Sequence, residues 1–137
     1  MHTNSVLPRT LILMDEDPRL VMGNWLRIDE RVAGVSIVAY IVPFGAIQKH
    51  ADPFHNGVPI ITWEDPHDDA ARARQYIDLY RIVRADRVID LGWSYPILLG
   101  AGDAAYVISV PPLLYTIMSG IRLSRLIRKK FERQRGE

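Results

Sequence analysis

Five short apolar runs recur along the chain: Thr10–Met14, Val35–Val42, Val58–Trp63, Arg87–Leu91 and Ala105–Val110. They are rich in Val and Ile, and they are continuous rather than alternating. A continuous run is the mark of a strand buried on both faces, as in a parallel sheet. The stretches between them repeat at helical spacing. Val21, Trp25, Ile28 and Val32 do so around Pro18–Arg31, and Ala70, Ala73, Ile77 and Tyr80 do so within Pro66–Arg84. Leu113–Phe131 predicts the longest helix. Strands alternating with helices predict one α/β domain, Rossmann-like or flavodoxin-like, with a five-stranded, mostly parallel sheet and helices on both faces. Phe44–His55 and Ser94–Asp103 are shorter and marked by Gly and Pro, so any helix there is short or irregular.

The sequence Glu-Asp-Pro occurs twice, at Glu16-Asp17-Pro18 and Glu64-Asp65-Pro66. Each copy follows an apolar run and precedes a helical pattern. Asp is a favoured N-cap, because its carboxylate accepts a hydrogen bond from a free backbone N–H. Proline suits the first helical position, where no N–H is needed. Asp68 and Asp69 follow in what would be a first turn, where the helix dipole favours negative charge. Asp17 and Asp65 are thus expected to cap helices. Capping leaves Asp15 and Glu16 unexplained. They fall at the carboxyl end of the first strand, the edge where open α/β sheets place ligands.

With 137 residues, the chain is long enough for a single domain, residues 1–137, with a real core. Net charge is +1, so no global field points to nucleic acid. The charge is uneven, however. Residues 120–137 hold seven Lys or Arg against two Glu, a balance of +5, which leaves −4 on the rest. Residues 122–137 therefore form a basic helix end and tail. The absence of cysteine excludes disulfides, thiol catalysis and cysteine zinc sites, which fits a reducing, cytoplasmic setting. No secretory signal pattern opens the sequence. Two uncharged stretches, Val32–Gln48 and Ala104–Ile121, approach the length of a membrane span. Pro43 interrupts the first and Pro111-Pro112 the second, so each is expected to be a buried strand plus the start of another element.

Acidic groups could converge at the carboxyl edge: Asp15 and Glu16, then Glu64 or Asp65, then Asp90. Clustered carboxylates repel unless a cation neutralises them. Mg²⁺ is the natural guest, since it takes one or two carboxylates plus water and phosphate oxygens. Asp15 and Glu16 are the candidate metal ligands and Asp65 the candidate third; solvated loop carboxylates are the alternative. His2, His50, His55 and His67 show no metal-ligand spacing and are expected on surface loops. The stretch GAGDAAY, Gly100–Tyr106, precedes a strand instead of following one, so it is not a phosphate-cradling loop.

Two stretches resemble the response-regulator receiver domain. TLILMDEDPRLVMGNWLR is similar to that family's first strand, acidic pair and first helix. GAGDAAYVISVPPLLYTIMSGIRLSRLIRKKF is similar to its fifth strand, proline-marked loop and last helix. The resemblance implies that Asp15 and Glu16 stand where the family binds Mg²⁺. It also places the phosphoacceptor position on Thr62 or Trp63, with Glu64 and Asp65 just beyond. Gly92 replaces the small hydroxyl residue after strand four, and Ser109 or Val110 replaces the strand-five lysine. The resemblance therefore implies a degenerate receiver that works without phosphorylation.

The leading expectation is a non-enzymatic signalling or interaction module. Its partner, another protein or a second copy, would meet the face of the last strands and helix: Trp93, Tyr95, Tyr106, Tyr115, Arg122 and Arg125. Neither a resident cofactor, beyond weakly held Mg²⁺, nor a nucleic-acid partner is expected. Two alternatives remain open. One is a Mg²⁺-dependent phosphoryl-transfer enzyme using Asp15 and Glu16 for metal and Asp65 as nucleophile or third ligand. The other is an assembly protein of the same fold with no small-molecule site.

Overall fold

The apolar runs become the strands of one sheet. The computed structural model describes residues 7–14, 28–43, 53–55, 57–63, 69–91, 107–110 and 120–134. In chain order the elements are β1 (Arg9–Leu13), α1 (Glu30–Ala33), β2 (Ser36–Pro43), β3 (Phe54–His55), β4 (Val58–Trp63), α2 (Asp69–Ile82), β5 (Arg87–Asp90), β6 (Val107–Ser109) and α3 (Gly120–Gln134). The sheet runs β3-β4-β2-β1-β5-β6. Every pairing is parallel except β3 with β4.

The α/β class and the five parallel strands match expectation. A sixth strand, β3, was not foreseen. It pairs with β4 across two residues, Asn56-Gly57, with His55 opposite Val58. Gly57 has φ +79°, a left-handed conformation that glycine adopts without steric penalty and that two-residue hairpin turns require.

The strand order decides between the two topologies the sequence allows. Numbered among themselves, the five parallel strands run 3-2-1-4-5. That is the Rossmann order; flavodoxin-like domains, receivers among them, run 2-1-3-4-5. The rhythm of strands and helices is common to both, but the neighbours of β1 differ.

Burial follows from alternation along the strands. Ile12, Met14, Tyr40, Val42, Ile89, Leu91, Ile108 and Val110 point to one side, where Ala33 of α1 and Leu123, Ile127 and Phe131 of α3 cover them. Leu11, Leu13, Ala39, Ile41, Val88 and Val107 point to the other. There they meet the end of α2 and the turn beyond it, through Leu79, Tyr80, Val83 and Ala85. Both faces are covered, which is why the runs read as continuous. A bulge in β2 assists. Thr10 pairs with Ile37 and Leu11 with Ala39, so Val38 is an extra residue. In a regular strand Ile37 and Ala39, two residues apart, would share a face; the bulge lets them serve opposite cores.

The helices depart from expectation in three places. No helix runs unbroken through Arg31, because Asp29 is extended (φ −83°, ψ 109°) and caps α1 by accepting from the Val32 N–H. Gly34 ends α1 in the left-handed conformation, its N–H returning to the Glu30 carbonyl. The described part of the last helix starts at Gly120 and continues to Gln134, beyond Phe131. The expected helix starts at Pro18 and Pro66, with their Asp17 and Asp65 caps, lie outside the described residues, as do 44–52 and 94–103. Among the described residues no helix is long and apolar enough to cross a membrane.

Candidate functional site

The carboxyl ends of β1, β5 and β6 leave the sheet together. Leu13 pairs with Asp90, and Asp90 with Ser109. The Met14 N–H donates to the Ile41 carbonyl at 3.0 Å, Leu91 to Leu13 at 2.8 Å, and Val110 to Asp90 at 2.9 Å. Asp15 and Glu16 therefore come directly after a fully buried Met14 at this edge, though they lie outside the described residues. Asp65 lies outside them too. The strand it follows, β4, is separated from β1 by β2. Two strand spacings set their ends about 9–10 Å apart. The neighbour on the other side of β1 is β5, and it brings Asp90, buried and engaged, next to Leu13. Among the described residues no three His, Asp or Glu side chains gather as a metal cage.

A second group of polar side chains lies around Tyr40 of β2. Tyr40 is buried in the core and meets the His55 ring edge-on, centroids 5.5 Å apart. Burial first, then the Glu30 carboxylate, pushes the Tyr40 phenol up to about 12. Glu30 also accepts the Ile37 N–H at 2.9 Å, tying α1 to the start of β2. His55, expected on a surface loop, is instead buried in strand β3. Strand pairing beside Tyr40 draws it in; the spacing of the histidines carried no sign of this. His2, His50 and His67 lie outside the described residues.

The third feature is α3. Leu123, Ser124, Ile127 and Phe131 are buried, and the rest of the described turns face outward or along the flanks. Three contacts lock the inner face. The Ser124 hydroxyl accepts the Asp29 N–H and donates to the Gly120 carbonyl. The Arg87 guanidinium lies 4.6 Å over the Phe131 ring, a cation–π contact at a nearly buried site. The Gln134 amide donates to the Val107 carbonyl, covering part of the open edge of β6.

Arg122 and Arg125, both expected at an interaction face, are exposed on α3. The rest of that expected face, Trp93, Tyr95, Tyr106 and Tyr115, lies outside the described residues. Lys129 and Arg133 extend the two arginines and were not singled out from sequence. Spacing of four residues was the available signal. Arg125, Lys129 and Arg133 succeed one another at i, i+4 and i+8, a single stripe opposite the buried one. An ion pair on the helix, Arg128 to Glu132 at 3.2 Å, lies beside the stripe. Among the described residues no carboxylate pairs with Arg125, Lys129 or Arg133. Like charges at i, i+4 oppose helix formation, so the stripe is held in place by the packing of the opposite face.

No family model matches the chain. No curated protein matches it either. A solved structure of formyltetrahydrofolate deformylase from Burkholderia mallei ATCC 23344 is similar over 79% of this chain and 39% of that one, at 15% identity and a TM-score of 0.44. The chain thus spans well under half of that protein's length, and a likeness this loose assigns no residue a role. The sheet order itself defines the class: a Rossmann-like α/β domain.

Proposed function

We propose that the chain is a non-enzymatic protein-interaction module that works without phosphorylation. One observation carries this: α3 is clamped to the sheet along one side and presents the cations Arg125, Lys129 and Arg133 on the other, with no carboxylate among the described residues to meet them. A helix fixed in this way offers its charges with little left to order on binding. The sheet order supports independence from phosphorylation. An acceptor after β4 would leave the edge two strands from the acidic pair after β1, not beside it.

Acetyl phosphate with Mg²⁺ tests this reading by intact-mass spectrometry. The mass is expected to stay unchanged. A gain of one phosphoryl group, abolished in Asp65→Asn, would overturn it in favour of phosphoryl transfer. A second reading has its own observation. Asp90, next to Leu13, places a third acidic residue at the edge where Asp15 and Glu16 follow β1. That arrangement would suit a cation-dependent ligand, and a Mg²⁺-induced rise in melting temperature that Asp15→Asn abolishes would favour it. The assembly reading gains nothing from the surface. The large apolar side chains exposed among the described residues, Phe54, Ile82 and Ile121, sit on three different elements.

A further inference from the structure

We infer that the outer face of α3 docks an acidic polypeptide segment of a partner protein, carboxylates meeting Arg125, Lys129 and Arg133, with Arg122 beside them. This deepens the module reading and rests on it. Three considerations select that occupant over other polyanions.

The first is the shape of the charge. The stripe is one residue wide and spans about 12 Å from Arg125 to Arg133. A helical segment bearing Glu or Asp at i, i+4 and i+8, or a short extended one, matches it in length. The second is the charge of the remainder. Outside residues 120–137 the chain is −4. A duplex or a bilayer presents a surface wider than one helix and would also meet this negative remainder. A narrow segment meets the stripe alone. The third is the donor chemistry. Arginine forks grip carboxylates two bonds at a time, which gives a peptide geometric fit as well as charge. The apolar side of α3 is already used by Leu123, Ile127 and Phe131, so it cannot enter a membrane interface.

The helix dipole does not account for the stripe. Its favour for cations is confined to the last turn, and Arg122 and Arg125 lie more than two turns before Gln134. A stripe that opposes its own helix, with no carboxylate among the described residues paired to Arg125, Lys129 or Arg133, fits a pattern met by another chain.

Fluorescence anisotropy tests the inference. The probe is a fluorescein-labelled oligo-glutamate of about ten residues, long enough to pass the stripe when extended or helical. Oligo-glutamate is expected to bind the wild type and to weaken as salt rises from about 50 to about 300 mM. Reversing three charges, in Arg125→Glu/Lys129→Glu/Arg133→Glu, is expected to weaken it at least about tenfold. The neutral triple variant with Gln is expected to fall between, and unchanged circular dichroism separates lost binding from lost fold. A DNA duplex, or vesicles containing phosphatidylserine, binding as tightly as the peptide would overturn the inference. So would binding that all three substitutions leave intact, or no binding. Light scattering on the same samples separates the two levels. A self-associating chain that ignores the peptide rejects the stripe while leaving the module reading in place; a monomer that ignores it rejects both.

Discussion

The Ser124 hydroxyl stands between two helices: it accepts the Asp29 backbone N–H at 2.7 Å and donates to the Gly120 carbonyl at 2.6 Å. Asp29 is in turn the cap of α1, so one fully buried hydroxyl joins the start of α1 to the body of α3. Ser124→Ala leaves the Asp29 N–H without its acceptor, and the expected loss is about 1–2 kcal/mol. Urea unfolding measures it. A loss indistinguishable from zero would mean that water replaces the hydroxyl without penalty.

Arg84 closes α2 in a left-handed conformation, φ 55°. Its N–H reaches the Arg81 carbonyl and the Ala85 N–H reaches Tyr80, the double closure usually built on glycine. Arg84→Gly relieves the Cβ clash of that conformation, partly offset by the flexibility that glycine adds to the unfolded chain. The substitution is expected to raise stability by up to about 1 kcal/mol, seen as a higher melting temperature. Arg9 steadies the same turn, its guanidinium donating to the Val83 and Arg84 carbonyls at 2.8 and 3.0 Å. Those acceptors are backbone atoms, so they persist in the glycine variant.

Tyr40 predicts an alkaline limit. Its phenol is raised from 10.0 to about 12, by burial first and then by Glu30. Between those values the unfolded chain has released the proton and the folded one has kept it. Stability is therefore full below about pH 10 and falls as pH climbs towards about 12, by roughly 2–3 kcal/mol at the end. Tyr40→Phe removes this contribution. Denaturant melts at about pH 8, 10 and 11 should show the wild type losing stability relative to the variant as pH rises. Parallel curves would dismiss the coupling.

Asp15 and Glu16, if they bind a cation, bind it weakly, since two carboxylates and water make a poor cage for Mg²⁺. Millimolar Mg²⁺ at constant ionic strength is expected to raise the melting temperature slightly, and Asp15→Asn to abolish the rise. The metal-free variant is expected to be no less stable than wild type, because it removes one of three crowded charges. A wild-type melting temperature indifferent to Mg²⁺ leaves the acidic run as a helix start with solvated neighbours.

Local chemistry was legible in the chain wherever one element suffices to express it. Continuous Val- and Ile-rich runs located five strands, because burial on both faces removes the polar half of the alternation. The inward side of the last helix, Leu123, Ile127 and Phe131, has the spacing of four that makes a helix face, but the run of charges around it made residues 122–137 read only as a basic end. The β3–β4 hairpin was not foreseen, because a two-residue strand is too short to show any period. The order of the strands could not be read this way. Runs buried on both faces look alike to one another, so nothing in β4 records that β2 separates it from β1. Tertiary packing alone set Asp90 beside Leu13, and it drew His55 under cover against Tyr40. It also bent β2 at Val38 to serve two cores and joined Ser124 to Asp29 across 95 residues of chain. Such partners meet through the path of the whole backbone, and a residue's own neighbours in sequence carry no trace of them.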